Sequence, residues 1–271
     1  MLSEFLSMPV SGECVDVNLR SAYFMKCAIY RPSNERRRDR VLVAVHGISR
    51  NYLSQAEAFR SLAERLGICL MAPLFDRERF PNYQRLAANP EQLRADLALS
   101  MLLLTWQSAR MLPQLKVHLV GYSGGAQFAH RYAYLHPERV ASLSVCSAGW
   151  YTLPDPDVSY PYGVKNWPEW LGEPRRNELA MLPMLALVGD QDYQRDSALR
   201  TNARLDRSQG KDRIERANRW VETINGQRSE LGVSPPVSLE LMQGQSHDFD
   251  ASVKSGLMLP PLEQFIRNLG G

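Results

Sequence analysis

Val117-His-Leu-Val-Gly121-Tyr-Ser123-Gly-Gly125-Ala-Gln-Phe-Ala129 is the stretch on which the reading of this chain turns. An apolar run ends at a glycine, a serine follows two residues later, and a further glycine opens a run of small residues suited to a helix. A strand that turns at once into a helix forces the corner residue into a strained conformation with its side chain thrust outward. The two backbones converge there, so the positions two before and two after the corner must be almost without side chains. Gly121 and Gly125 meet that demand. The free N–H groups that open the helix, that of Gly124 first, point toward developing negative charge. Ser123 is therefore a candidate nucleophile. A glycine-rich turn of this kind also suits a phosphate, so partners elsewhere in the chain have to decide.

On either side of this corner, strands and helices alternate. Two strands are expected near 13–19 and 23–30, the first alternating polar and apolar residues like an edge strand with one wet face. Val41-Leu-Val-Ala-Val45 is a continuous apolar run, the mark of a strand buried on both faces. A helix over about 53–66 follows, with Ala56, Phe59, Leu62, Ala63 and Leu66 on one face. Next come a strand at 68–72 stopped by Pro73 and a helix opening near Pro90, with Leu93, Leu97 and Leu104 on its apolar stripe to about Arg110. Strand 117–120, helix 124–135 and strand 140–145 continue the alternation. Residues 149–181 interrupt it, and a strand at 185–188 restores it. A charged helical region over about 195–230, a strand at 237–241 and a closing helix at 262–269 complete the chain. The pattern predicts an α/β fold: a mostly parallel eight-stranded sheet with helices on both faces. It is read as one domain, residues 1–271, with a small cap insertion at about 149–181.

Serine is inert near neutrality without a base. Of five histidines, His247 follows the last strand in a loop at the carboxyl edge of the sheet, where catalytic groups of open α/β sheets gather. His118, His130 and His136 lie in or at the ends of regular elements and read as structural. An acid should orient the base and stabilise its charged form. Gly189-Asp190-Gln-Asp192 ends a buried strand and offers two carboxylates. Asp192 sits deeper in the loop and is preferred; Asp190 reads as a residue binding backbone N–H groups in the turn. Asp155 and Asp157 are a second, weaker location. Val45-His46-Gly47-Ile48 leaves the first parallel strand, so the oxyanion donors are assigned to the N–H groups of Ile48 and Gly124. His46 reads as a ring bracing that loop.

Composition bounds the alternatives. The 271 residues are 44% hydrophobic and 23% charged, enough for a large core without staples. Thirty-two basic residues against 29 acidic leave a net charge of +3, too even to argue for nucleic acid or an anionic membrane. Cys14, Cys27, Cys69 and Cys146 each fall in an expected strand and none forms C-x-x-C, so buried free thiols are expected rather than a zinc or dithiol site. The first residues lack the basic start and apolar run of a secretory signal, and no 18-residue apolar run occurs. A soluble, cytoplasmic protein is the expectation.

Together, His46-Gly47, Gly121-Tyr-Ser123-Gly-Gly125, Gly189-Asp-Gln-Asp192 and Ser246-His247 resemble the α/β-hydrolase superfamily from about residue 13 to the end. The resemblance implies a Ser-His-Asp triad working through an acyl-enzyme, with neither metal nor cofactor. His-Gly-Ile is similar to the short oxyanion loops of that superfamily rather than to the three-glycine version. Phe75-Asp76 and the Gly-Tyr-Ser-Gly-Gly run are weakly similar to polyhydroxyalkanoate depolymerase-type esterases. One departure is the excursion of about 45 residues between Asp192 and the last strand. It reads as a solvated helical face with i,i+4 ion pairs, a homodimer or partner surface being the alternative.

Aromatics in the 149–181 segment, including Trp150, Tyr151 and Trp167, are candidates to wall a substrate pocket with Tyr122 and Phe75; equally, they can simply pin the loop to the body. The expected function is hydrolysis of a small carboxylic ester with an apolar or short hydroxyacyl portion. Thioester or amide hydrolysis and acyl transfer would use the same residues, and a ligand receptor on a hydrolase scaffold is the reading from another class.

Overall fold

A computed structural model describes residues 10–19 and 25–269. Positions 23 and 24 of the expected second strand, and the N-terminal segment judged not to be a signal, lie outside the described residues. Eight strands form one sheet: β1 (Cys14–Leu19), β2 (Met25–Tyr30), β3 (Arg40–Val45), β4 (Cys69–Leu74), β5 (Lys116–Tyr122), β6 (Val140–Cys146), β7 (Met184–Gly189) and β8 (Ser238–Met242). Their spatial order is β1-β2-β4-β3-β5-β6-β7-β8. β2 runs antiparallel to both neighbours, and every later pairing is parallel.

The apolar run of β3 alternates between two cores. Val41, Val43 and Val45 pack with α2 (Ala95–Ala109), α3 (Gly124–Leu135) and α6 (Arg213–Glu230) on one face. Leu42 and Ala44 pack with α1 (Tyr52–Leu66) and α8 (Leu259–Asn268) on the other. A strand buried on both faces has no polar side to show, which is why this run reads as continuous. The short helices α4 (Arg176–Met181), α5 (Ala203–Gln209) and α7 (Phe249–Lys254) complete the set.

Four expectations need correction. Pro73 lies inside β4 and pairs with Cys27, beyond the point where β4 leaves β3 at Met71, so its missing N–H breaks no ladder on that side. The helix expected from Pro90 starts only at Ala95, because the Asn89 side chain accepts from the N–H groups of Glu91 and Gln92 and holds a turn. Its buried face is Ala98, Leu99, Leu102, Leu103 and Trp106, whereas Leu93 and Leu104 are exposed. A segment apolar nearly all round does not reveal its inner side by period alone. Lastly, Cys14 is exposed rather than buried, although it and the other three thiols are free and lie in strands.

The charged excursion is also not simply a solvated face. Ala217, Trp220, Val221 and Ile224 pack into the core, and Arg213, Arg216 and Arg228 go in with them. The buried guanidiniums are matched to acceptors: Arg216 donates to Gly149, Gly210 and Arg200 carbonyls, and Arg228 to those of Ala180 and Leu182. No described helix is long and apolar enough to cross a membrane.

Candidate active site

The loops that leave β3, β5, β7 and β8 all emerge at the carboxyl edge of the parallel sheet, so parallel pairing brings four distant segments to one rim. At the β5–α3 corner, Ser123 has φ 52° and ψ −114°, a backbone conformation that side chains rarely adopt. The corner is as crowded as its glycines imply. A Cβ on Gly121 would sit 2.2 Å from the carbonyl oxygen of Gly125, and one on Gly125 2.1 Å from that of Val45.

Ser123 Oγ is 3.0 Å from Nε2 of His247, whose Nδ1 is 2.9 Å from a carboxylate oxygen of Asp192. Asp192 is buried, and its other oxygen accepts from Arg213 at 3.0 Å. The same guanidinium forks to Asp196, at 3.0 and 3.2 Å. The loops bearing acid and imidazole are stitched together: Gln191 N–H donates to the Gln245 carbonyl, and Asp190 accepts from Gly244 N–H at 2.7 Å. Asp190 thus binds backbone, as expected, and Asp192 is the carboxylate beside His247. The Tyr122 ring stacks on the imidazole, centroids 5.4 Å apart.

Ile48 follows β3 and its side chain abuts Gly124: a Cβ on that glycine would lie 2.9 Å from Ile48 Cγ2. Among the described residues, neither Ile48 N–H nor Gly124 N–H donates to a protein acceptor. His46 braces this loop from within. Its Nδ1–H donates to the Gly47 carbonyl and its Nε2 accepts from Phe75 N–H at 3.0 Å, while Tyr83 donates to the His46 carbonyl. Burial holds the ring neutral by pushing its pKa down to about 4. His118 bonds Ser142, His130 bridges Ala126 and Thr152, and His136 meets Asp96, all away from Ser123.

The sequence matches the family model described as alpha/beta hydrolase fold over residues 40–236. The chain belongs to the α/β-hydrolase family. By sequence, none of the curated proteins matches this hydrolase significantly. Among solved structures it is similar to LpqC, a poly(3-hydroxybutyrate) depolymerase from Bordetella parapertussis (23% identity, TM-score 0.79, covering 98% of this chain and 97% of that one). It is also similar to poly(aspartic acid) hydrolase-1 from Sphingomonas sp. KT-1 (20%, 0.75, 91% and 97%) and to an S-formylglutathione hydrolase from Agrobacterium tumefaciens (14%, 0.59, 97% and 97%). At these identities the likeness is one of fold.

In this α/β-hydrolase a cavity of about 280 Å³ opens onto Ser123 and His247. Gly47, Ile48, Asn51 and Gln55 from the segment after β3, and Asp248, Phe249 and Asp250 from the segment after β8, help to line it. Of the five expected pocket residues, Tyr122 lines it. Trp150, Tyr151, Trp167 and Phe75 do not. Tyr151 and Phe75 are fully buried: Tyr151 stacks on Trp220, and Phe75 on Tyr83 beside Phe128. Trp150 packs on Tyr162 under Arg131, and Trp167 on Tyr134 and Tyr160. The aromatics of the 149–181 segment pin it to the body, helped by Gln209, which bonds both backbone groups of Tyr151. Sequence reasoning missed Arg213, hidden in a charged run, and Gln55, which stands in the first turn of an ordinary amphipathic helix.

Proposed function

We infer that this protein is a serine hydrolase of carboxylic esters working through an acyl-enzyme, with Ser123 as nucleophile, His247 as base and then acid, and Asp192 as the orienting carboxylate. The observation that carries this reading is the unbroken chain of contacts Ser123 Oγ, His247 Nε2, His247 Nδ1 and Asp192, with 3.0 and 2.9 Å between partners, built on a strained elbow.

The chemistry follows from the proton path. As Ser123 Oγ bonds the ester carbonyl carbon, its proton passes to Nε2, and Asp192 stabilises the imidazolium through the Nδ1–H bond. The carbonyl oxygen takes the negative charge and lies against the free N–H groups of Ile48 and Gly124. Collapse expels the alcohol, which takes the proton from Nε2. A water molecule then gives its proton to the same nitrogen, attacks the acyl-enzyme and releases the acid, returning the proton to Ser123.

The cavity favours a small neutral substrate. Its volume falls just below the ~300 Å³ at which pockets for drug-sized ligands begin. Asp248 and Asp250 line it and no Lys or Arg does among the described residues, which argues against a polyanion such as poly(aspartic acid) and for an uncharged acyl group. Short hydroxyacyl esters, the kind of unit implied by the poly(3-hydroxybutyrate) depolymerase of similar fold, satisfy both limits.

Fluorophosphonate labelling with peptide mapping tests the assignment. The label is expected on Ser123, and Ser123→Ala should abolish both labelling and p-nitrophenyl butanoate turnover. Label on another residue, or ester turnover indifferent to Ser123→Ala, would end this reading.

A further inference from the structure

Gln55 is 2% exposed, yet its side-chain amide makes no hydrogen bond with any described residue. Unlike the sealed Tyr122 hydroxyl, this amide keeps access to the space above it, so what occupies that space decides whether its N–H groups and carbonyl are paired. The little surface that Gln55 keeps belongs to the wall of the cavity over Ser123. Two other polar side chains of the lining are satisfied within the fold: Asn51 Oδ1 accepts from Ser49, and Asp248 caps α7 by accepting from Ala251 N–H. The helical period does not require a polar residue here either. Position 55 adjoins Ala56, Phe59, Leu62 and Ala63 on the buried side of α1. A leucine or methionine would serve the helix equally well.

We propose that Gln55 is a specificity-determining residue whose amide binds a neutral hydrogen-bonding group of the substrate, a hydroxyl before all others, close to the scissile carbonyl. The proposal rests on the hydrolase reading above, since it takes the ester to lie over Ser123. Three features select the ligand chemistry. An amide both donates and accepts, and so does a hydroxyl. The cavity has room for only a short chain, so a polar group that reaches Gln55 stands few bonds from the carbonyl. The carboxylates of Asp248 and Asp250 disfavour an anion at the same place. Binding the hydroxyl would leave no buried amide unpaired, whereas a plain alkyl chain pressed against Gln55 would leave it so. That asymmetry is the means by which a polar site discriminates strongly between substrates of equal size.

The hydroxyl can come from the acyl half or from the alcohol half of the ester, and two substrate pairs separate these sources. Methyl 3-hydroxybutanoate against methyl butanoate varies the acyl half. 2-Hydroxyethyl butanoate against propyl butanoate varies the alcohol. We expect kcat/KM of the natural chain to favour the hydroxylated member in at least one pair by about tenfold or more. Gln55→Met, nearly equal in volume and apolar, should erase that preference by lowering kcat/KM of the hydroxylated member relative to its plain counterpart by about tenfold. Gln55→Glu keeps the shape, cannot donate when ionised, and should retain less of the preference than the natural amide. A preference unchanged in Gln55→Met, or no preference in either pair, overturns the proposal. An equal fall for both members of each pair also overturns it, since that marks a structural role. Ser123→Ala run beside these variants keeps the two ideas distinct: if it retains turnover the hydrolase reading fails, and if it is inactive while Gln55→Met discriminates normally only this proposal does.

Discussion

Replacing Arg213 by methionine tests whether the candidate acid depends on a residue that never approaches the substrate. The side chains of Arg213 and Asp192 are each 1% exposed and meet at 3.0 Å, so neither has water as a substitute partner. Without the guanidinium, one Asp192 oxygen keeps its bond to His247 and the other keeps no side-chain partner. Breaking a buried pair from one side generally costs about 3–5 kcal/mol, chiefly because the remaining charge is left uncompensated. Asp196, the other partner, is 39% exposed on its side chain and can turn to solvent, so it adds little. The carboxylate can escape its penalty by rotating or by taking a proton, and either loosens its hold on Nδ1 of His247. A fall in kcat of about 10- to 100-fold is expected, equivalent to about 1.4–2.7 kcal/mol of barrier, with KM nearly unchanged because Arg213 does not line the cavity. Arg213→Lys should recover part of the loss, since an ammonium can reach one carboxylate but lacks the fork that serves two. The assay is p-nitrophenyl butanoate turnover normalised by fluorophosphonate titration, alongside urea unfolding. Titration counts competent sites, so a variant that is merely less folded shows fewer sites with normal kcat each. Normal turnover per site would refute the argument that Arg213 acts through Asp192.

Two further outcomes follow from packing and from buried histidines. Gly125→Ala places a methyl group 2.1 Å from the Val45 carbonyl oxygen, where only backbone can yield; it should cost about 3 kcal/mol or more and displace the loop that follows β3, and a melting temperature within about 2 °C of the natural chain's would contradict the crowding. Burial lowers the pKa values of His46 and His118 from 6.5 to about 4. Because the folded state resists protonation, this stability is fully present above about 6.5 and is lost as pH falls toward 4, by about 3 kcal/mol for each ring on the usual conversion. Urea midpoints should therefore drop between pH 7 and pH 5, and His118→Asn should shallow that slope; equal slopes in the two proteins would remove His118 as a source.

Much of this architecture is visible in the chain before any coordinates. β3 announces itself because a strand buried on both faces has no polar positions, and the Ser123 corner because its two flanking glycines answer a steric demand a few residues long. His247 and Asp192 are legible by a different route: each ends a segment whose predecessor is a parallel strand, and parallel strands deliver their carboxyl ends to one rim. What fails to show is whatever depends on side chains choosing among equals. Leu93, Leu97 and Leu104 look as good a stripe as Leu99, Leu102 and Leu103 when ten of the fifteen residues of α2 are apolar and they are spread around the helix. The aromatics of residues 149–181 carry no mark saying whether they face a substrate or the core; packing against α3 and α6 decides, and most of them face inward.

Arg213 lies between these cases and shows what a closer reading of charge could recover. In isolation Lys211-Asp-Arg-Ile-Glu-Arg216 is a solvated run, since three basic and two acidic residues within six positions satisfy one another at a surface. The helical period says otherwise. Arg213 stands four residues before Ala217 and seven before Trp220, on the stripe that packs into the core, so a 3.6-residue repeat carries it inward with them. A charge forced to that side needs a buried counter-charge, and the carboxyl edge of the neighbouring β7 offers one in Asp192. The long excursion before β8 then has a physical reason: its helix starts where its first residue can hold the acid that holds His247.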